Sequence, residues 1–236
     1  MGSIEENLVV IYDAISAAAK KSGRNPEDIK LIGVTKTVGP ERIRQLVLAG
    51  AEYIRRNETF CLGESRVQEF LPKYMALQQS PIPTWHFIGH LQRNKVKFII
   101  DKVAMIHSVD NLPLALEIDK RAGQAGLKMD ILVEINIANE DSKHGIALTQ
   151  AQAFVKQLTD FSNIQLRGLM CIAPFVENPE ENRTHFKKMR NLLIDINACR
   201  PHNHILTELS MGMSGDFTVA IEEGATMVRI GTALVG

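Results

Sequence analysis

The sequence predicts a single-domain α/β protein built as a closed (β/α)8 barrel, on three observations. Short apolar runs alternate with amphipathic helical stretches along the whole chain, the signature of parallel strands joined by crossover helices. Eight such runs can be traced, and 236 residues is close to the length at which one barrel of this kind closes. An open doubly wound sheet is the competing architecture, because it has the same alternation.

The elements follow in order. Ile4, Leu8, Ile11, Ile15 and Ala18 recur every three or four residues and Ser22-Gly23 with Asn25-Pro26 stops the run, which predicts a helix over 4–21. Lys30 to Lys36 is too short for a helix and rich in branched residues, as a buried strand is. Pro40 opens and Gly50 ends the next helix, with Ile43, Leu46 and Val47 on its inner face. Further strands are expected at Trp85–Gly89, Ala104–Val109, Asp130–Asn136, Gln165–Met170, Ile205–Ser210 and Met227–Gly231. Helices are expected at Val67–Leu77, Leu112–Ala125, Leu148–Leu158, Glu180–Ala198 and Asp216–Glu223. One strand is still missing, between the first strand and Trp85, and Ala51–Ile54 through Cys61–Gly63 could supply it, although Arg55, Arg56, Asn57 and Glu58 interrupt a clean run. The chain ends five residues after Gly231, so the helix over 4–21 is expected to complete the outer ring beside the last strand.

Composition narrows the function classes. The chain is 45% apolar and 23% charged, an ordinary globular balance that needs no metal or cross-link for stability. Its 27 basic residues match 27 acidic ones, so no net field gathers nucleic acid. Cys61, Cys171 and Cys199 form an odd set without C-x-x-C spacing, which suits a reducing cytoplasm better than a disulfide framework or a zinc ribbon. No apolar window approaches a membrane span and the N-terminus has no signal-peptide pattern. His86 and His90 are four residues apart but straddle a strand end, so they form no helical zinc pair and no metal site is expected.

Functional groups of a barrel sit at the C-terminal ends of its strands and in the loops beyond. Lys36 stands at the end of the first strand. It is either a solvated strand-end lysine or, if its neighbours favour the free amine, a Schiff-base nucleophile. Barrels often bind phosphate after strands seven and eight, where this chain has Ser210-Met-Gly-Met-Ser-Gly215 and Gly231-Thr232. Gly212 and Gly215 would permit close backbone approach. Arg229 lies inside the last strand, where it either meets a core carboxylate or contacts a ligand. In a closed barrel the first and last strands are neighbours, which brings the lysine beside the phosphate cup. Cys171, at a strand end, reads as a buried inert thiol.

These segments resemble the pyridoxal phosphate homeostasis protein family, single-domain relatives of alanine racemase. Leu31-Ile-Gly-Val-Thr-Lys36-Thr37 is similar to its lysine motif A-V-S-K-T, and Gly63-Glu-Ser-Arg-Val-Gln-Glu69 to its G-E-N-x-V-Q-E block. Trp85-His-Phe-Ile-Gly-His-Leu-Gln-Arg-Asn-Lys95, Ser142-Lys-His-Gly145, Arg167-Gly-Leu-Met170, Leu209-Ser-Met-Gly-Met-Ser214 and Met227-Val-Arg-Ile-Gly-Thr232 continue the match in order. The resemblance implies a fold like the alanine racemase N-terminal domain, with pyridoxal 5′-phosphate (PLP) held as an internal aldimine on Lys36. It also implies phosphate contacts from Ser210, the Met211 backbone, Gly231 and Thr232. Arg229 would face the pyridine nitrogen, where its fixed charge keeps that nitrogen unprotonated and weakens the ring as an electron sink. The implied role is intracellular PLP homeostasis as a monomer, without robust catalysis, with PLP-dependent apoenzymes as the natural partners. Ser65 departs from the family's usual Asn, and Ala51–Leu62 is an extension placed here near the barrel mouth.

Two catalytic alternatives compete. An amino-acid racemase would use Lys36 as one base and need a second group on the opposite face of its substrate. Of Tyr12, Tyr53 and Tyr74, only Tyr53 is expected near the mouth. A Schiff-base aldolase would use Lys36 on a sugar carbonyl.

Overall fold

The computed structural model describes residues 2–54, 58–79, 81–140, 144–199 and 205–236. Eight parallel strands close into a barrel: β1 (Lys30–Val34), β2 (Cys61–Glu64), β3 (Thr84–Phe87), β4 (Met105–Val109), β5 (Met129–Asn136), β7 (Ile164–Cys171), β8 (Glu208–Ser210) and β9 (Met227–Ile230). The two-residue β6 (Ile146–Ala147) pairs only with β5, as a spur at the barrel's C-terminal rim. Pairing of β4 with β5 and of β1 with β9 completes the ring. The open-sheet alternative is thereby excluded.

The period of two along each strand divides the interior from the outer shell. Ile32, Cys61, Met105, Leu132, Met170 and Met227 form an inner cluster that plugs the barrel. Leu31, Leu62, Trp85, Phe87, Ile106, Ile131, Leu169 and Val228 point outward and meet the helices in the main core. Each such side chain fully removed from water contributes roughly 1.5–3 kcal/mol. Gly168 lets β7 approach β8 closely, since a Cβ there would lie 1.9 Å from the Glu208 carbonyl oxygen.

The outer ring comprises α1 (Ile4–Lys21), α2 (Pro40–Gly50), α3 (Val67–Ala76), α4 (Leu112–Gln124), α5 (Ala151–Gln157), α6 (Arg183–Cys199), α7 (Phe217–Glu222) and α8 (Thr232–Val235). Helix α1 is fixed by a capping box in which Ser3 and Glu6 exchange hydrogen bonds of 3.2 and 2.9 Å. It packs against α2, α7 and α8, and the Asn7 amide donates to the Leu234 carbonyl at 3.1 Å. The N-terminal helix therefore fills the outer ring beside β9, as expected, although one turn of helix, α8, does follow that strand.

The remaining departures have local causes. After β3 the crossover is a 3-10 stretch, Arg93–Phe98, whose run of cationic residues gives it little apolar face to bury. The strand left uncertain by the sequence is β2, Cys61–Glu64, while Ala51–Tyr53 forms a 3-10 turn that continues α2. Because that extension joins a helix to the following strand, it lies at the N-terminal end of the barrel and not at the mouth. Tyr53 stacks there on Tyr12, with ring centroids 4.4 Å apart. The motif residues Ser142 and Lys143, the stretch Arg55–Asn57 and the polar His202–His204 segment lie outside the described residues.

Candidate functional site

Register places β1 against β9, with Lys30 opposite Met227 and Gly33 opposite Ile230. The segments leaving these strands, Thr35-Lys36 and Gly231-Thr232, are thereby neighbours at the C-terminal rim. Lys36, Gly231 and Thr232 line one cavity of about 360 Å³ together with Val34, Ser65, Ile88, Ser214, Gly215 and Arg229, a size suited to a small molecule. Ile172 and Phe175, in the segment after β7, also line it, and Phe175 is 96% exposed at its lip.

Lys36 is exposed in a turn just past β1, and the backbone before it is anchored from below. The hydroxyl of buried Thr35 donates to Glu64 Oε1 at 2.8 Å, and its carbonyl accepts from Lys73 Nζ at 2.6 Å. Lys73 also pairs with the fully buried Glu64. This buried ion pair links β1, β2 and α3 directly beneath Lys36, so it fixes where the flexible amine starts.

Arg229 alternates with Met227 and so points into the barrel. One terminal nitrogen donates to Ser210 Oγ at 2.6 Å and the other to the Cys171 carbonyl at 2.8 Å. Ser210 Oγ lies 2.9 Å from His107 Nδ1, and His107 Nε2 lies 2.9 Å from His86 Nδ1. The Ser210 hydroxyl accepts from Arg229, which can only donate, and it shares a hydrogen bond with His107 Nδ1, while His107 Nε2 and His86 Nδ1 share another. Burial holds both rings neutral, pushing His86 down to about 3 and His107 well below the ordinary histidine value, the latter helped by nearby His86 and Arg229. Burial likewise pulls Arg229 down from its very high ordinary pKa, against the opposing pull of Cys171, Glu134 and Asp216. Glu134 is pushed up to about 7, chiefly by burial and then by the Asp110 charge.

The loop after β8 carries the other half of the cavity wall. Gly212 has φ +89°, and a Cβ there would lie 2.6 Å from Ala220 Cβ, so this turn requires glycine. Gly215 has open space around it. The Ser214 hydroxyl oxygen lies 3.4 Å from both the Gly231 and Ala233 amides, which donate to it. Asp216 braces the loop by accepting from the Met213 amide at 2.7 Å and from Asn182 Nδ2 at 2.8 Å. The same Asn182 nitrogen donates to the Pro174 carbonyl, tying the loops after β7 and β8 together.

Of the residues singled out in the sequence, the structure brings Lys36, Arg229, Gly231 and Thr232 to one cavity, with Ser65 beside them. Ser210 and Met211 are buried and do not line it: the Ser210 hydroxyl is committed to Arg229 and His107, and the Met211 amide donates to the Met227 carbonyl at 3.1 Å. Ser214, Glu64, Lys73, His107, Asn182 and Asp216 were not anticipated in these roles. Ser214 had a signal, since it follows the strand in a Gly-flanked loop, whereas Ser210 is the strand's own inward residue. Cys171 is fully buried and its thiol is pushed up to about 12 by burial, which leaves it inert.

Comparison with known proteins agrees with this geometry. The chain matches the family described as "Alanine racemase, N-terminal domain" over residues 15–236. It is 44% identical over 231 residues to the pyridoxal phosphate homeostasis protein of Aquifex aeolicus, covering 98% of this chain and 96% of that protein. The protein of the same name from Escherichia coli K12 is 34% identical over 238 residues, covering 100% of this chain and 97% of its own length. Among solved structures, PipY of Synechococcus elongatus with PLP bound superposes with a TM-score of 0.81 at 33% identity, covering 99% of this chain and 100% of that one. Diaminopimelate decarboxylase of M. jannaschii shares the fold alone, at a TM-score of 0.73 and 12% identity over 60% of its chain. Extent, identity and barrel geometry together place this chain in the pyridoxal phosphate homeostasis protein family, on the alanine racemase N-terminal domain fold.

Proposed function

We propose that this protein binds pyridoxal 5′-phosphate at the barrel mouth, attached through Lys36, and holds it in reserve for PLP-dependent apoenzymes without turning over amino acids. The observation that carries the reading is the convergence of an exposed lysine, a buried arginine and an amide-lined loop on one cavity of about 360 Å³. The residues fit the group. Gly231 and Ala233 already aim two amides at one oxygen, that of Ser214, so the loop is built to satisfy an oxygen-rich anion. The PLP-bound relative supports the same reading.

Bound PLP supplies an aldehyde carbon that condenses with a primary amine. The chain's own contribution is to hold and orient. Lys36 provides the amine, and the Ser214, Gly215, Gly231 and Thr232 loop segments take the phosphate. Arg229, held by Ser210 and the Cys171 carbonyl, presents a fixed cation toward the ring nitrogen. In this reading Ser210 and Met211 act by fixing that arginine and the loop's starting point, and so act at one remove from the phosphate. A barrel that closes within one chain fits a monomer in the reducing cytoplasm.

A racemase would need a second acid or base opposite Lys36. None of the three tyrosines lines the cavity: Tyr12 stacks on Tyr53 at the far end, and Tyr74 packs on Phe70 in α3. Absorbance tests the proposal. Protein with added PLP should show a yellow band that Lys36→Ala lacks, and protein that stays colourless would sink the reading. Alanine enantiomers exchanged faster than by free PLP, with loss on Lys36→Ala, would instead make it a racemase. An adduct that forms on Lys36 only after a sugar is added would make it an aldolase.

A further inference from the structure

We propose that His90, Asp110 and His144 form a binding site for a divalent transition-metal ion on the C-terminal rim of the barrel, beside the cofactor cavity. The three residues follow three adjacent strands: His90 lies beyond β3, Asp110 directly after β4, and His144 between β5 and β6. Each offers one ligand atom, and these atoms lie within 4.8 Å of one another. His90 Nδ1 is 3.8 Å and His144 Nδ1 is 3.9 Å from the same oxygen, Asp110 Oδ2.

Those separations are too long for hydrogen bonds. Two imidazole nitrogens therefore converge on one carboxylate oxygen without bonding to it, an arrangement that a bridging cation would satisfy. The carboxylate is held for the purpose. Asn111 Nδ2 donates to Asp110 Oδ1 at 2.6 Å, and Asn111 Oδ1 caps α4 through the Leu114 amide at 2.9 Å. One oxygen is thus fixed by a neighbour anchored in a helix, and the other is turned to the histidines, as outer-shell partners orient metal ligands.

Two imidazoles and a carboxylate suit zinc, nickel, copper or ferrous iron better than magnesium or calcium. Ligands about 2.1 Å from one ion sit ~3.0–3.4 Å apart, so each histidine must approach Asp110 by roughly 0.4–0.9 Å, and the two histidine nitrogens, within 4.8 Å of each other, must close as well. The imidazoles, now stacked with centroids 3.9 Å apart and planes 13° from parallel, must also tilt, because an ion lies in the plane of each ring it binds. Side-chain exposures of 40% for His90 and 59% for His144 leave both rings free to turn. With three protein ligands, further positions stay open to water or a small molecule. Gly89 and Ile88 join His90 to the cavity wall, so a bound ion would clamp the loops on that side of the mouth.

The proposal does not rest on the PLP reading and is tested with and without PLP. Zn2+ is titrated by calorimetry into the reduced full-length protein, alongside His90→Ala, His144→Ala and Asp110→Asn, with circular dichroism as the check on folding. The expected result is one saturable site of micromolar affinity, weakened about tenfold or more by each substitution. No saturable Zn2+ binding would overturn the proposal. So would binding that the folded His90→Ala and His144→Ala proteins retain at full strength, which would assign the ion to other groups such as the exposed thiol of Cys199.

Discussion

Ser210 and Ser214 do different work because one belongs to a strand and the other to the loop beyond it. Ser210 is the inward residue of β8 and its hydroxyl is spent inside the barrel, while Ser214 stands among amides at the mouth. Ser214→Ala is therefore expected to weaken retention of PLP several-fold, about 1 kcal/mol, with the Lys36 band still formed. Spectral titration checks this, and an unchanged affinity would remove Ser214 from the phosphate site. Beneath Lys36, Glu64→Gln should destabilise the fold by about 3–5 kcal/mol, because it strands the Lys73 ammonium among buried groups. Urea unfolding measures it, and replacing both partners by apolar residues should recover much of the loss. The placement of Lys36 and Arg229 was legible in the sequence, because strand-end and last-strand positions bring them together in a closed barrel, whereas position alone left their roles open between structural and ligand-binding ones. Glu64–Lys73 was not, since nothing local tells which of many acidic and basic residues will meet inside.

The strands were the most legible elements, for each is a short apolar run flanked by polar turns. The connections were less so. The exposed Ala51–Tyr53 turn continues α2 at the barrel's lower end, where Tyr53 stacks on Tyr12, a contact between distant segments that local pattern cannot reveal. The inner faces of β3, β4, β8 and β9 combine into a buried polar chain, His86, His107, Ser210 and Arg229, that also depends on strands remote in sequence. It has a consequence in acid. The folded protein keeps His86 and His107 neutral, whereas the unfolded chain takes up protons below about 6.5. Stability is therefore full above that value and is lost as pH falls toward about 3, the value to which His86 is depressed. Each histidine held neutral in the folded protein steepens that fall. His86→Gln should flatten the fall between these limits in urea unfolding at several pH values, and an identical slope would contradict the assignment.

At the scale of the whole molecule, closure of the ring depends on α1 lying beside β9, where α8 supplies only a single turn. Leu8 is fully buried in that contact, so Leu8→Ala should cost about 2–5 kcal/mol. The expected measurement is a lower urea midpoint with an unchanged PLP spectrum, because the helix lies outside the barrel and away from its mouth. Among the described residues no helix is long and apolar enough to cross a membrane. In the proposed function the closed barrel delivers one particular amine, Lys36, to the cofactor. Borohydride reduction of the PLP-loaded protein followed by peptide mass mapping tests it most directly. A pyridoxyl group on Lys36, absent from Lys36→Ala, is expected; a group on another lysine, or none at all, would overturn the assignment of Lys36.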